Sequence, residues 1–436
     1  MQTTQNHPQP GSFRDKMFLS LYTLLWILLT PVLTVVMLRR GHNSSTQELR
    51  RLPERFGFGP AVQHTGGYLF HCVSVGEVVA AAPLIKQLKT LRPDSTITVT
   101  TTTSTGSERL LALFGNTVQH CYLPFDMPFT MNKLLKRLKP ERLVIVEVEL
   151  WPNMIDLCWS REIPVTVINA RMTNRSASRY QKLRWLAIPM LKKLSKVCAQ
   201  GQRDYENYLK LGVAEDKIIL TNNIKFDLPD VDVATLRHQV TRTYATDAHK
   251  VIVAGSTHAP EEELLLETYQ QLKHEYPQLL LVLVPRHPQR FEQVFQLCQH
   301  QNMKVVRSST SAQCQTDTDI LLADQMGILR QLYAMADIVF VGGSLSDRGG
   351  HNALEPAQLG IPIIMGPSQY NNPQICSTLE AGGALCTVRD ETDLVNQCRN
   401  WLKEPEAAKR KGLSGQHTIA ENAGALQATL KILITS

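Results

Sequence analysis

The hydrophobic pattern opens with Met17–Leu38, twenty-two positions without a charge. As a helix this run measures roughly 33 Å, enough to cross a bilayer's hydrocarbon core, with Pro31 as a kink point. From Gly67 the pattern changes to short apolar runs alternating with helical periodicity. Strands are predicted at Tyr68–Val75, Thr96–Thr102, Val118–Leu123, Leu143–Val146, Pro164–Ile168 and Lys217–Thr221. Between them fall predicted helices at Glu77–Leu91, Gly106–Phe114, Phe129–Leu138, Pro152–Cys158 and Tyr180–Leu194. A second series of strands runs through Val251–Ala254, Leu280–Val284, Lys304–Val306, Ile338–Val341 and Ile361–Met365, and Glu404–Leu433 reads as helices able to fold back over the first domain. Such alternation predicts parallel sheets covered by helices. Two doubly wound α/β domains facing a cleft are therefore expected, with ligands at the carboxyl ends of the strands. The expected divisions are 1–40 for a polar start and membrane anchor, 41–225 for a first domain, 226–248 for a linker and 249–436 for a second domain with terminal helices.

Charge orients the anchor. Arg39, Arg40, Arg50, Arg51 and Arg55 follow the apolar run, against Arg14 and Lys16 before it, so the remaining chain is expected on the cytoplasmic side. A helix lying on the membrane surface is the alternative to one that spans it. The 436 residues are 43% hydrophobic and 19% charged, as in a globular protein. The net charge of +7 comes without the aromatic-interleaved basic tracts of a nucleic-acid binder, which suits an acidic membrane or an anionic substrate. Nine dispersed cysteines with no C-x-x-C pair point to reduced thiols and exclude a zinc framework of that kind.

Candidate chemistry gathers where predicted strands end. Ile338–Pro367 reads as strand, glycine-rich loop, helix, strand, with Gly342–Gly343 and Gly349–Gly350 before a helical Ala353–Leu359. Glycines admit close backbone approach, and a helix N-terminus favours an anion such as phosphate. Glu355 in the first turn can accept hydrogen bonds from two ribose hydroxyls. The spacing is wrong for G-x-G-x-x-G, which excludes a dinucleotide fingerprint. Ser74–Glu77 and Glu147–Pro152 end two strands of the first domain, Ala254–His258 and Val284–Pro288 two of the second, and Asn223–Asp227 lies at the junction. Acids thus collect on one domain, and Ser, Thr, Arg, His and glycine donors on the other. Glu77 alone reads equally as a helix N-terminal carboxylate held ionised by the dipole, Glu147 or Glu149 as an ion-pair partner of Arg171 or Arg175, and Lys225 as a solvated cation. His258, His287 and His351 lack metal-site spacing and read as hydrogen-bonding groups. The D-x-D pairs Asp230–Asp232 and Asp317–Asp319 sit in turn contexts and read as solvated.

The segments SVGEVVAAAPLI, TTTSTGSER, EVELWPN, INAR, GSTH, PRHPQRF and GGSLSDRGGHNALEPA together resemble the 3-deoxy-D-manno-octulosonic acid (Kdo) transferases of lipopolysaccharide synthesis, from about Arg50 to about Asn400. The resemblance implies a GT-B fold and inverting transfer of Kdo from CMP-Kdo onto a lipid A precursor at the inner membrane. Because a monophosphate leaving group carries less charge than a diphosphate, helix-end and side-chain cations are expected to suffice without a metal, and no other cofactor is expected. It implies Glu77 as general base, with Glu147 and Lys225 assisting the transition state. It places CMP contacts at Pro285 and Arg286, at Met326, Gly327 and Ile328, and at Asn352, Ala353, Leu354 and Glu355. Ile328, Ala353 and Val148 stand where Glu, Pro and Thr are common in the family. A sugar-nucleotide epimerase of similar two-domain fold and a non-enzymatic membrane scaffold are the competing functions.

Overall fold

The computed structural model describes residues 12–44, 51–310 and 313–435. They form two compact units, Met1–Asp227 with Ala423–Ser436, and Leu228–Asn422.

In the first unit seven parallel strands make one sheet: β1 (Tyr68–His71), β2 (Ile97–Thr101), β3 (Gln119–Tyr122), β4 (Arg142–Val146), β5 (Val165–Ala170), β6 (Lys196–Ala199) and β7 (Ile218–Leu220). Their spatial order is β3-β2-β1-β4-β5-β6-β7. The chain reverses direction across the sheet between β1 and β4, which pair in parallel from Tyr68 opposite Arg142 to His71 opposite Ile145. Both faces of the central strands are buried, and β2, β4 and β5 are rich in Val, Ile and Thr on both faces. One face packs under the helices Pro128–Leu138, Pro152–Trp159 and Gln202–Lys210 through Met131, Leu134, Met154, Ile155 and Tyr208. The other packs under Val75–Leu91 and Ser104–Phe114, joined by Leu426, Leu430 and Leu433 of the last helix, Ala425–Thr435.

The second unit repeats the plan with β8 (Lys250–Thr257), β9 (Leu279–Pro285), β10 (Val305–Arg307), β11 (Ile320–Leu322), β12 (Ile338–Val341), β13 (Ile363–Met365) and β14 (Leu385–Thr387). The order is β10-β11-β9-β8-β12-β13-β14, again all parallel, with the reversal between β8 and β12. A space of about 610 Å³ lies beside Val233, Lys250, Pro362 and Trp401, near the starts of β8 and β12 and remote from the strand ends considered below.

The structure draws the divisions differently from the pattern. Residues 226–248 do not form a linker throughout: Asp232 caps a helix, Val233–Tyr244, that belongs to the second unit. The last helix joins the first unit, where Asp227 accepts the N–H groups of Gly424 and Leu426 at 2.5 Å each and Tyr68 donates to the Leu433 carbonyl. Tyr180–Leu194 is two helices, Asn174–Lys182 and Arg184–Lys192, because Leu183 leaves helical geometry. The strands β6, β11 and β14, three or four residues each, had no separate sequence signal. The apolar N-terminal run is one helix, Phe13–Ser44, whose Phe13–Arg39 portion is long and apolar enough to cross a membrane.

Candidate active site

In an open parallel sheet the space beyond the strands' carboxyl ends is widest where the chain reverses direction, because neighbouring loops diverge there. Each unit puts its candidate residues at that place. We describe them as two half-sites.

In the first unit β1 runs into Ser74 and the helix Val75–Leu91, so Glu77 occupies the helix's third position. Its side chain turns back on the loop: Val73 N–H donates to Oε2 at 2.5 Å, and Ser74 Oγ lies 3.5 Å from Oε1. This is the geometry of a capping carboxylate. Only 7% of Glu77 is exposed, and its neighbours include the carboxylates of Glu147 and Glu149. Burial above all, then Glu147 and Glu149, pushes its pKa up to about 8, against the lowering effect of the Val73 bond. The helix dipole was expected to keep Glu77 ionised; desolvation outweighs it. A Cβ at Gly76 would meet only Ser74 Oγ, at 3.8 Å. The fold leaves the space beside Gly76 open.

Glu147 follows β4 in left-handed backbone geometry, φ 61°. Asn169 at the end of β5 and Asn222 after β7 share that geometry, at 48° and 66°. That geometry is disfavoured for a glutamate side chain, whereas Asn adopts it more readily. Asn169 is buried and accepts the Ile224 N–H at 3.1 Å, while Asn223 caps the same turn by accepting the Lys225 N–H at 3.0 Å. Held from both sides, the turn Ile224–Phe226 presents Lys225, whose Nζ is 3.7 Å from Glu147 Oε1. Three sequence-predicted residues from three distant segments therefore meet at one sheet edge. The same edge is braced by Trp151, whose Nε1 donates to His71 Nε2 at 3.1 Å. His71 is fully buried, which drives its pKa down to about 3 and keeps it neutral for that role. This pairing had no sequence signal beyond the proximity of each residue to a strand end.

In the second unit β8 ends at Thr257 and β12 at Val341, side by side. The first donors of the glycine-rich loop are already engaged. Glu261 is fully buried, and its carboxylate accepts the N–H groups of Gly343, Ser344 and Leu345 at 2.8–2.9 Å, of Ser346 at 3.3 Å and of His258 at 3.0 Å. The loop's opening turn thus wraps a carboxylate of the chain itself. Sequence reasoning missed Glu261 because Glu261–Glu263 looks like the acidic, solvated first turn of a helix. Gly342 is required here: a Cβ would come 2.5 Å from the Ser256 carbonyl oxygen.

Beyond that turn His351 Nε2 lies 2.9 Å from His258 Nε2, and the His287 ring is 5.3 Å from His258. Burial first, and then neighbouring histidines and arginines, drives both His258 and His351 down to about 4. They form a neutral hydrogen-bonded pair beside Arg286 and Arg348. The expected helix Ala353–Leu359 shortens to Leu354–Gln358, and the Leu354 N–H is taken by Asn352 Oδ1 at 3.1 Å. Asn352 Nδ2 also donates to Glu355 at 3.0 Å, fixing the carboxylate at the loop's rim. The side chains of Pro285, Ala353 and Leu354 are buried, so only their backbone can face a ligand, whereas Arg286 and Met326 are exposed. A Cβ added at Gly327, φ 89°, would meet nothing within 4 Å, and Ile328 precedes the helix Leu329–Ala334. Arg330 of that helix donates to Gln358 at 2.8 Å, so the short helices Leu329–Ala334 and Leu354–Gln358, which continue from the Met326–Ile328 and Asn352–Glu355 segments, are neighbours.

The D-x-D pairs are structural. Asp232 accepts from Thr235 N–H and Oγ1, Asp319 from Tyr269 and the Lys304 N–H, and Asp317 pairs with Lys304. Among the described residues no three His, Cys, Asp or Glu side chains are grouped to hold a metal ion.

Residues 50–228 match the family described as 3-deoxy-D-manno-octulosonic-acid transferase (kdotransferase), and residues 251–417 the group 1 glycosyl transferases. The 3-deoxy-D-manno-octulosonic acid transferase of Haemophilus influenzae is 38% identical over 387 residues, covering 88% of this chain and 91% of its own. That of Bordetella pertussis is 30% identical over 429 residues, covering 94% and 98%. The UDP-GlcNAc 2-epimerase from Neisseria meningitidis superposes with a TM-score of 0.57 over 86% of this chain and 100% of its own, at 15% identity. That likeness is one of fold alone, and the two seven-stranded units are those of the GT-B architecture.

Proposed function

This chain belongs to the 3-deoxy-D-manno-octulosonic acid (Kdo) transferase family, glycosyltransferases of lipopolysaccharide synthesis, and we propose that it moves Kdo from CMP-Kdo to the lipid A precursor lipid IVA with inversion. The observation that carries the reading is the meeting of Glu77, Glu147 and Lys225 at the reversal point of the first sheet.

An acceptor hydroxyl must lose its proton as it attacks, and a positioned base contributes ~10²–10⁴-fold. Glu77 is that base. With a pKa of about 8 it binds the proton far more firmly than an ordinary carboxylate, and about a tenth of it is ionised at pH 7. Its Val73 and Ser74 partners hold the carboxylate in place through the transfer. Glu147 and Lys225 form a separate, oppositely charged pair. Lys225 offers a cation to the negative charge of the donor, and Glu147 sets the position of Lys225 while favouring positive charge at the anomeric carbon. Attack opposite to the departing CMP, in one displacement, inverts that carbon.

The second unit holds the nucleotide. Arg286 faces the phosphate, the Glu355 carboxylate positioned by Asn352 accepts the ribose hydroxyls, and the exposed Met326–Gly327 segment and partly buried Ile328 flank the base. Backbone groups of Pro285, Ala353 and Leu354 complete the contacts, and protein cations balance the phosphate without a metal. The apolar N-terminal helix keeps the enzyme at the inner membrane, facing the cytoplasm, where its lipid acceptor is. The test is direct. Purified chain given CMP-Kdo and tetra-acylated lipid IVA yields a lipid heavier by one or more Kdo units in mass spectrometry, and an unchanged lipid mass refutes the reading.

A further inference from the structure

The helix Phe13–Ser44 lies lengthwise on the first unit, and its sides are distributed unusually. The side toward the unit recurs at helical spacing and carries the groups able to hydrogen-bond. Tyr22 donates to Asp126 at 3.0 Å, Thr23 to Asn153 at 3.1 Å, and Thr30 Oγ1 is 3.7 Å from the Met127 sulfur. The Phe18 ring is 4.7 Å from Trp185, and the Trp26 ring is 5.9 Å from both Phe125 and Trp151. The outer side is purely apolar: Leu21, Leu24, Leu28, Val32 and Val35 are each between 47% and 65% exposed. A helix on a water-soluble domain has the reverse arrangement, with its apolar stripe inward.

The contacts from Phe18 to Thr30 cover roughly 18 Å of helix axis. They are part of the domain's own structure. Asp126 is almost fully buried and also accepts the N–H groups of Asn153 and Met154 at 2.9 Å each. A helix that crosses a bilayer has its middle surrounded by hydrocarbon over some ~30 Å. The middle of this one is bonded to a sheet domain along one side, which confines its lipid contact to the other.

Charge supports the same medium. Between Glu162 and Asp204 the chain has nine lysines and arginines and no acidic residue. The helix Arg184–Lys192 from this stretch packs against the apolar helix through Trp185, and Arg179, Lys182 and Arg184 beside it are exposed. Exposed cations next to a lipid-facing strip suit anionic headgroups.

We infer that the N-terminal helix lies in the plane of the membrane, without crossing it, and that its outer side is seated in the leaflet of an anionic phospholipid bilayer. The seat is roughly 5–10 Å deep, at the boundary of headgroups and acyl chains. The inference deepens the membrane association proposed above and replaces the spanning orientation expected from length alone. It also gives the first unit a fixed side toward the membrane, whereas a spanning tether would leave it free to tumble.

The test uses the full chain bound to vesicles containing about 30% phosphatidylglycerol. Nitroxides at Leu21→Cys, Leu28→Cys and Val35→Cys should report one common depth. A spanning helix would instead put Leu28 deepest, with the other two roughly 10 Å shallower. In sealed inner-membrane vesicles, Ser12→Cys should react with an impermeant maleimide from the side on which the catalytic units are digested by protease. Combined charge reversal at Arg179, Lys182 and Arg184 should weaken binding to the anionic vesicles ~100-fold or more, at about fivefold per charge, and leave binding to neutral vesicles unchanged. A depth maximum at Leu28, modification of Ser12→Cys from the opposite side, or no vesicle binding overturns the inference. Transfer to detergent-dispersed lipid IVA is measured in the same preparations. Loss of transfer with a uniform depth profile would refute the Kdo-transfer reading and leave the in-plane seat standing.

Discussion

Replacing Glu77 by Gln should uncouple stability from activity in a pH-dependent way. The wild-type carboxyl has a folded-state pKa of about 8 against 4.5 for the free side chain, chiefly because it is buried. A folded-state pKa above the unfolded value means that the proton stabilises the folded protein. Ionisation therefore costs nothing below pH 4.5 and progressively more up to pH 8. The cost rises by about 1.4 kcal/mol per pH unit. Over the interval from 4.5 to 8 it accumulates to roughly 5 kcal/mol. Gln keeps the size of the side chain and can accept the Val73 N–H, but it never ionises. The variant should therefore gain stability over wild type steadily between pH 5 and pH 8, with a constant difference above pH 8. Four of the five tryptophans, Trp26, Trp151, Trp159 and Trp185, lie in the first unit, so urea unfolding followed by their fluorescence at pH 5, 6, 7 and 8 reads the relevant transition. In parallel, wild-type kcat/KM should climb with pH up to about 8. The variant should lose that limb and ~10²–10⁴ of the rate while retaining CMP affinity. A stability difference that stays flat with pH refutes the buried, protonated carboxyl. Near-normal turnover by the variant refutes its role as base.

Gly76→Ala should leave folding intact, or stabilise it by up to ~1 kcal/mol from helix propensity, because its methyl meets no protein atom closer than 3.8 Å; if acceptor uses that space, KM for lipid IVA rises at unchanged Tm, and unchanged kinetics refute that use. Glu261→Ala leaves five backbone N–H groups of the loop without their acceptor and should destabilise the fold, at about 1–3 kcal/mol for each donor left buried and unsatisfied, visible as a lower Tm together with weaker CMP binding; an unchanged Tm removes Glu261 as the loop's support. Arg286→Ala and Glu355→Ala should each weaken CMP binding by roughly 1–3 kcal/mol in calorimetry, and unchanged affinity in both removes the nucleotide assignment.

The strand ends that carry the site were legible because periodicity and glycine punctuation are local properties of the sequence. β1 and β4, the helix after Ser74 and the short helix at Glu355 all fall within a few residues of the predicted limits. The apolar N-terminal run announced, by composition alone, a helix long and apolar enough to cross a membrane. Its sidedness did not follow, because Tyr22, Thr23 and Thr30 count only as mild dilution until Asp126, Asn153 and Met127 are found opposite them, some hundred residues later. A return of the terminal helices over the first domain was among the readings of the sequence, but nothing local names Val78 and Leu84 as the residues that the last helix packs with. Three-residue strands such as β11 and β14 are too short to carry a period of their own. The electrostatics depended still more on the fold. Sequence position places Glu77 at a helix start, where the dipole favours its ionised form; the packing that buries it near Glu147 and Glu149 reverses that preference. Glu261, written as one of three consecutive glutamates, became the internal anion of the glycine-rich loop only because the loop after β12 closes over it. Sequence alone determined which elements form and which residue types stand at their ends, since those depend on neighbours within a turn or two. Tertiary structure decided which charges are desolvated and which are paired, since a carboxylate's environment is set by whatever the fold packs against it.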